Sequence, residues 1–255
     1  MSFSEIVLLS GAALVAGVAN SIAGGGSFIS FPALLFTGMP GVTANATNTV
    51  ALWPGIVAST SAYRKAFSRP LLMSVLPLIV VTLVGSVLGA WLLLHTPQIT
   101  FMKMVPWLLL VGTVLFSFGP QISARVNRRH GNGGPAPWLV AVISSVQFVL
   151  GVYIGYYGAG VGFIILPLLS MMGIENIHAM NGLRVLLATL GNAVAVILFI
   201  VNRAVIWPQA LLMMVSAIVG GYVGAHYAQK FQPRTVRYVV ICIGFGMTGY
   251  FFVRS

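Results

Sequence analysis

Ala23-Gly24-Gly25-Gly26-Ser27-Phe28-Ile29-Ser30-Phe31-Pro32-Ala33-Leu34 sets three glycines before a short apolar run that carries a proline. The pattern returns 135 positions on as Gly158-Ala159-Gly160-Val161-Gly162-Phe163-Ile164-Ile165-Leu166-Pro167-Leu168-Leu169. Gly25, Phe28, Ile29, Pro32 and Leu34 meet identical residues at Gly160, Phe163, Ile164, Pro167 and Leu169. The same shift pairs Gly38 with Gly173, Ala44 with Ala179, Val50 with Val185, Leu52 with Leu187, Gly85 with Gly220, Gly89 with Gly224 and Ala90 with Ala225. One ungapped offset over most of both halves is the mark of an internal duplication. It divides the chain into repeats at 1–124 and 137–255, joined by a basic, glycine-rich linker at 125–136.

Charged residues make up 6% of the 255 and apolar ones 58%, where a soluble domain has about a quarter charged. The chain is therefore read as an all-α integral membrane protein. Its net charge of +11 arises because Glu5 and Glu175 are its only acids. The thirteen Lys and Arg fall mostly between apolar runs, which is the positive-inside pattern and not a nucleic-acid patch. Cys242 is the single cysteine, so there is no intramolecular disulfide and no cysteine metal cluster. No cofactor or metal motif is present. The first apolar run lacks a basic leader and a cleavage site, and is expected to stay as a helix.

A crossing helix needs about 20 apolar residues, from a core about 30 Å thick and a rise of 1.5 Å per residue. Eight runs qualify: 6–23, 43–63, 71–94, 104–121, 137–157, 179–201, 206–228 and 238–253. Two more, 28–37 and 163–172, are half as long and follow directly on the glycine clusters. Unpaired backbone groups cannot face lipid, so such breaks sit inside protein or line a watery cavity. Paired short segments after glycines mark the expected binding site of a transporter, at Gly24, Gly25, Gly26 and Ser27 and at Gly158, Gly160 and Gly162. Gly85-x-x-x-Gly89 and Gly220-x-x-x-Gly224 are read instead as close helix crossings.

After each short segment a long helix opens on polar residues. In the first repeat these are Thr43, Asn45, Thr47, Asn48 and Thr49, with Thr43 a candidate N-cap and Asn45 and Asn48 on one face. A solvated helix end and a substrate-facing patch both explain them. In the second repeat Asn181 and Arg184 share a face, and Arg184 is the one charge in a run that is otherwise uncharged to Val201. An intramembrane Arg costs about 2.5–3.5 kcal/mol on insertion scales and calls for a partner or an aqueous cavity. Snorkelling to the headgroups is one answer. A visiting anion is the other, and the reading taken here, because the chain has no Asp and only Glu175 nearby. Asn192 lies two turns further along the same helix. Glu175 and His178 are the one titratable pair near this site, as solvated loop residues or as a proton relay. Tyr153, Tyr156 and Tyr157 form either an interfacial belt or a cavity wall.

If only the long runs cross, the exposed Lys and Arg divide eight against four; if the short segments also change side, they divide nine against three. The second arrangement collects the dense basic connections after 63, 124 and 229 on one side and makes the repeat an inverted five-plus-five.

With these motifs quoted, the chain resembles the TauE/SafE-type sulfite exporter family of bacterial inner-membrane anion transporters. The likeness rests on the glycine cluster with 28–35, Asn45-Ala46-Thr47-Asn48 with Trp53-Pro54-Gly55, 101–107, Asn181-Gly182-Leu183-Arg184 with Asn192, and Gly220-Gly221-Tyr222-Val223-Gly224-Ala225. It implies outward transport of sulfite or of small organosulfur and organic acid anions. The resemblance implies Lys in many relatives where this chain has Arg184, whose planar fork suits sulfonate, sulfite or carboxylate oxygens. The expected ligands are thus a small anion at the site and the bilayer around it, with a proton or other ion as coupling partner left open. An anion channel and a non-transporting scaffold are the alternatives. An enzyme is not expected, for there is no Asp, no His-Glu-x-x-His and no paired carboxylate. The oligomeric state is not legible.

Overall fold

The computed structural model describes residues 1–22, 25–64, 67–127, 137–160, 162–174, 176–227 and 233–254. Among them the chain is helical throughout, with eleven helices: α1 (Phe3–Ile22), α2 (Ser27–Phe36), α3 (Gly41–Ala62), α4 (Arg69–Ser74), α5 (Leu76–His95), α6 (Gln98–Asn127), α7 (Pro137–Tyr156), α8 (Gly162–Met171), α9 (Ile177–Val201), α10 (Trp207–Tyr227) and α11 (Pro233–Arg254). The expected short segments are α2 and α8, ten residues each and offset by 135, each with its proline (Pro32, Pro167) inside the helix. Lys65, the 128–136 part of the expected linker, and Glu175 lie outside the described residues. Residues 125–127 of that linker belong to the last turn of α6.

Three details depart from the sequence reading. Seven described helices are long and apolar enough to cross a membrane, where eight were expected. The odd one is α3, which has the length at 22 residues but carries too many Thr, Asn and Ser to rank as apolar. The expected run 71–94 is two helices, because the chain turns at Val75 and restarts with Pro77 in the first turn of α5, where a missing N–H costs nothing. Thr43 is not an N-cap: α3 begins at Gly41 behind Pro40, without a side-chain cap. The capped start is that of α9, where Asn176 accepts from His178 N (2.9 Å) and Ala179 N (3.2 Å).

Side chains are sorted as a bilayer requires. On α5 the buried face is Leu78, Thr82, Gly85, Ser86, Gly89, Ala90 and Leu93. The outward face is Val80, Val84, Val87, Leu88 and Trp91. Small residues turned inward let backbones approach where lipid leaves no hydrophobic drive between helices. A Cβ on Gly89 would strike the carbonyl of Val152 on α7, and one on Gly220 the carbonyl of Leu14 on α1. Both glycine pairs thus stand at tight crossings.

These crossings join the repeats. α1 packs along α10 and α7 along α5, and since α7 is the counterpart of α1 and α10 of α5, the two halves exchange equivalent contacts. Counterparts also meet each other. Tyr63 of the α3 end faces Gly182 near the α9 start, Thr60 bonds Thr189 (2.6 Å), and Thr47 near the α3 start accepts from Ile206 beyond the α9 end (3.1 Å). α3 and α9 therefore run antiparallel. So do α6 and α11, where Arg237 reaches Phe116, Thr113 faces Gly244 and Trp107 meets Phe252.

Candidate functional site

Both breaks are made by left-handed glycines. Gly25 has φ +86° and Gly160 +81°, a conformation that costs an L residue about 1–2 kcal/mol. The second turn pair repeats the offset, with Gly38 at +80° and Gly173 at +79°. Gly158 is left-handed too, at +76°. Gly24 lies outside the described residues. Ser27 opens α2 and Gly162 opens α8.

The two breaks converge on one stretch of α6. Gly25 rests against Phe116, and a Cβ there would come within 3.0 Å of its ring and of Val240. Gly160 rests against Gly112, one turn earlier, and against Phe28 from the first turn of α2. Phe28 and Phe116 pack edge to face at 5.9 Å, closing the gap between them.

The polar groups around the first break are largely occupied with one another. Asn20 Oδ1 accepts from Gly26 N at 2.7 Å, and Ser30 Oγ reaches Asn48 Oδ1 at 2.6 Å and Gly26 O at 3.2 Å. Asn48 and Ser30 are both buried. A helix broken inside a membrane leaves end groups that water cannot serve, and here side chains serve part of that need. Neither Asn20 nor Ser30 stood among the sequence candidates; the signal was available, because Asn20 is the one amide of the first apolar run and sits six residues before Gly26.

At the second break Asn45 of α3 donates to Tyr156 O at 2.9 Å, the last carbonyl of α7. Its own Oδ1 is buried without a protein partner. Asn192 donates to Ala188 O one turn back, and its Oδ1 faces Gly158. The hydroxyl of Tyr157 is likewise buried without a protein partner, its ring packed on Phe31 at 5.4 Å. Asn45 and Asn48 share a helix face but serve different breaks.

Three candidates stand apart. Thr47 accepts from Ile206 N and so ties the start of α3 to the start of α10. Asn181 and Arg184 are half-buried near the N-terminal end of α9, where Gly182 packs on Tyr63 and Phe67. Arg184 is eight residues before Asn192, about 12 Å along the axis at 1.5 Å per residue. Between them Thr189 binds α3, its carbonyl accepting from Trp53 Nε1 at 3.1 Å. The arrangement thus has two breaks at one level and a cation at a second level, nearer the N-terminal end of α9. Among the described residues no three His, Cys, Asp or Glu stand close enough to hold a metal ion.

Comparison with known proteins agrees with this architecture. The chain is 29% identical over 235 residues to a "Probable membrane transporter protein" of Haemophilus influenzae, covering 92% of this chain and 89% of that protein. It is 28% identical over 234 residues to the "Probable membrane transporter protein YfcA" of Escherichia coli K12, covering 91% and 83%. It is 26% identical over 249 residues to the "Probable membrane transporter protein ORF9" of Sinorhizobium sp, covering 97% and 92%. No solved structure matches significantly. The model of the family described as "Sulfite exporter TauE/SafE" matches residues 9–251, and with the paired glycine breaks and the duplicated helices beneath it this chain belongs to that family of membrane transporters.

Proposed function

We propose that the protein is a secondary transporter which moves a small oxyanion, sulfite or an organosulfur or organic acid anion, outward across the bacterial inner membrane. The observation that carries this reading is the meeting of Gly25 and Gly160, both left-handed, on the 112–116 stretch of α6. Two short helices start toward one core element, which is the arrangement by which broken helices of transporters face an anion; an anion at the first break would take Gly26 N over from Asn20 Oδ1. Arg184 supplies the cation on the approach from the basic end. Asn45, Asn48 and Asn192 line the breaks, and their side-chain amide N–H groups are the donors an anion there would accept from. The protein is a carrier and not an enzyme in this reading.

The repeats are inverted, five segments each. Support comes from the counterpart pairs α3 with α9 and α6 with α11, which run antiparallel, as a two-fold axis in the membrane plane requires. With α2 and α8 also changing side, both ends of the described chain lie on one face and the basic connections on the other, which is the cytoplasm by the positive-inside rule.

Flux of sulfite, sulfoacetate, taurine and simple carboxylates into proteoliposomes tests the function. Saturable uptake lost in Gly160→Val protein that remains folded supports a carrier. Ion flux that never saturates points to a channel, and folded protein with no flux of any anion points to a scaffold.

A further inference from the structure

We propose that the cleft between the end of α2, the start of α6 and the end of α11 is a binding site for the phosphate headgroup of an anionic phospholipid. The cavity measures about 690 Å³ and is lined by Lys103, Arg254 and Gln98 together with the rings of Phe36, Tyr250 and Phe251. That volume and a mostly apolar wall with few polar groups are those of a ligand pocket. It lies at the end of the bundle away from the breaks' basic approach, and it does not depend on the transport reading.

The charges are matched to one kind of ligand. Lys103 is in the second turn of α6 and Arg254 is the last residue of α11. The antiparallel pairing of these helices, seen in Trp107 on Phe252 at 5.0 Å, brings both cations to the same end. Arg254 donates to the Tyr250 hydroxyl and its guanidinium stands 5.6 Å from the centre of that ring, so it is held against another residue of the cleft lining. No acidic side chain is among the described lining residues. A planar guanidinium beside an ammonium is the pair that grips a phosphate.

The apolar part selects an amphiphile over a hydrated oxyanion. Phe36 and Ile99 of the lining are exposed, and in a bilayer they meet acyl chains. A small inorganic anion would satisfy the two cations and leave the rings of Phe36, Tyr250 and Phe251 against water. A phospholipid serves both, and cations at helix ends reach headgroup depth.

Native mass spectrometry of the purified protein in neutral detergent is the test, with phosphatidylglycerol, phosphatidylcholine and glycerol 3-phosphate as probes. The expected result is retention of phosphatidylglycerol over phosphatidylcholine, weakened about tenfold or more in K103Q/R254Q, the size of one lost charge-assisted hydrogen bond. R203Q, which removes an exposed cation outside the cleft, should bind like wild type. Thermal melting without lipid checks the fold of the double variant; if it is impaired, R254Q alone carries the same comparison. Equal binding of phosphatidylglycerol by wild type and variants overturns the site. Phosphatidylcholine retained as well as phosphatidylglycerol overturns it as well, by showing hydrocarbon contact alone. Glycerol 3-phosphate held as tightly as the lipid would make the cleft an aqueous anion pocket and end the lipid assignment.

Discussion

The guanidinium of Arg237 on α11 donates to the carbonyl of Phe116 on α6 at 3.1 Å, and to the next carbonyl, Ser117 O, at 2.7 Å. Phe116 O is the carbonyl that residue 120 would serve in an unbroken helix, and residue 120 is Pro, which has no N–H. An arginine from the antiparallel partner thus fills a vacancy in α6, one helix turn below Val240, and both Phe116 and Val240 touch Gly25. Through this contact Arg237 ties α11 to the stretch of α6 on which the first break rests.

Arg237→Met is therefore expected to lower stability by about 1.5–3 kcal/mol, the scale of hydrogen bonds made by a charged group. Pro120→Ala returns an N–H to α6, so it should stabilise the Arg237→Met protein more than it stabilises wild type. A double-mutant cycle in thermal unfolding measures this coupling. Strict additivity would mean that Arg237 does not substitute for the missing donor.

The left-handed glycines separate by what surrounds them. A Cβ at Gly38 or Gly173 meets nothing within 4 Å, so Ala there is expected to cost only the backbone strain, about 1–2 kcal/mol, and to leave flux intact. At Gly160 a Cβ would lie 2.5 Å from the Gly112 carbonyl, at Gly25 3.0 Å from movable side chains of Phe116 and Val240. Gly160→Ala should thus lose more stability than Gly25→Ala, and both should lose flux. Normal flux in folded Gly25→Ala protein would remove that glycine from the site.

At the helix crossings the contrast is between Gly220 and its neighbour. Gly220→Ala drives a methyl into the Leu14 carbonyl, whereas at Gly221 the nearest atom to a new Cβ is 3.9 Å away. Expression and melting temperature should fall for the first and hold for the second. Equal tolerance would show that α1 and α10 part easily and that the stripe of small residues is incidental.

Arg184 carries the substrate-charge hypothesis. Arg184→Ala is expected to weaken anion binding by about 1.5–3 kcal/mol, and Arg184→Lys to retain part of it, because the charge survives and the fork does not. The measurement is ligand-induced thermal shift beside apo melting. A protein that melts early yet binds its anion normally would assign Arg184 to the fold.

Orientation is tested at residue 127, the last residue of α6. In a Cys242→Ser background, Asn127→Cys should resist a membrane-impermeant thiol reagent in intact cells and react in inverted vesicles. Ready labelling from outside would reverse the proposed topology.

Much of the fold was legible because membrane burial writes itself into composition. The offset that pairs Gly25 with Gly160 located α2 and α8 to within a residue, since a half-length apolar run behind glycines has few other uses in a bilayer. Helix restarts were less visible. The turn at Val75 leaves no charge or glycine, and apolar residues on both sides hide it. The start of α3 was misplaced because Pro40 and Gly41 ended a turn that polarity alone put at Thr43. Among the site candidates, Asn45 and Asn48 read as one patch by helical spacing, yet one caps α7 and the other joins Ser30. Helical spacing reports which residues share a face and says nothing of what the face meets.

By itself the sequence determined that this chain lives in a bilayer, that a string recurs in it at an offset of 135, and which two places break the helices. Each of those follows from local chemistry: low charge, a repeated string, glycines before a proline. Only the tertiary structure decided that the breaks meet on α6, that counterpart helices run antiparallel, that Asn20 and Arg237 satisfy backbone groups the breaks and Pro120 leave open, and that Arg184 stands at a different depth from the glycines. Those relations join residues many helices apart, where the partner is set by packing and by the need to pair every buried polar group out of reach of water.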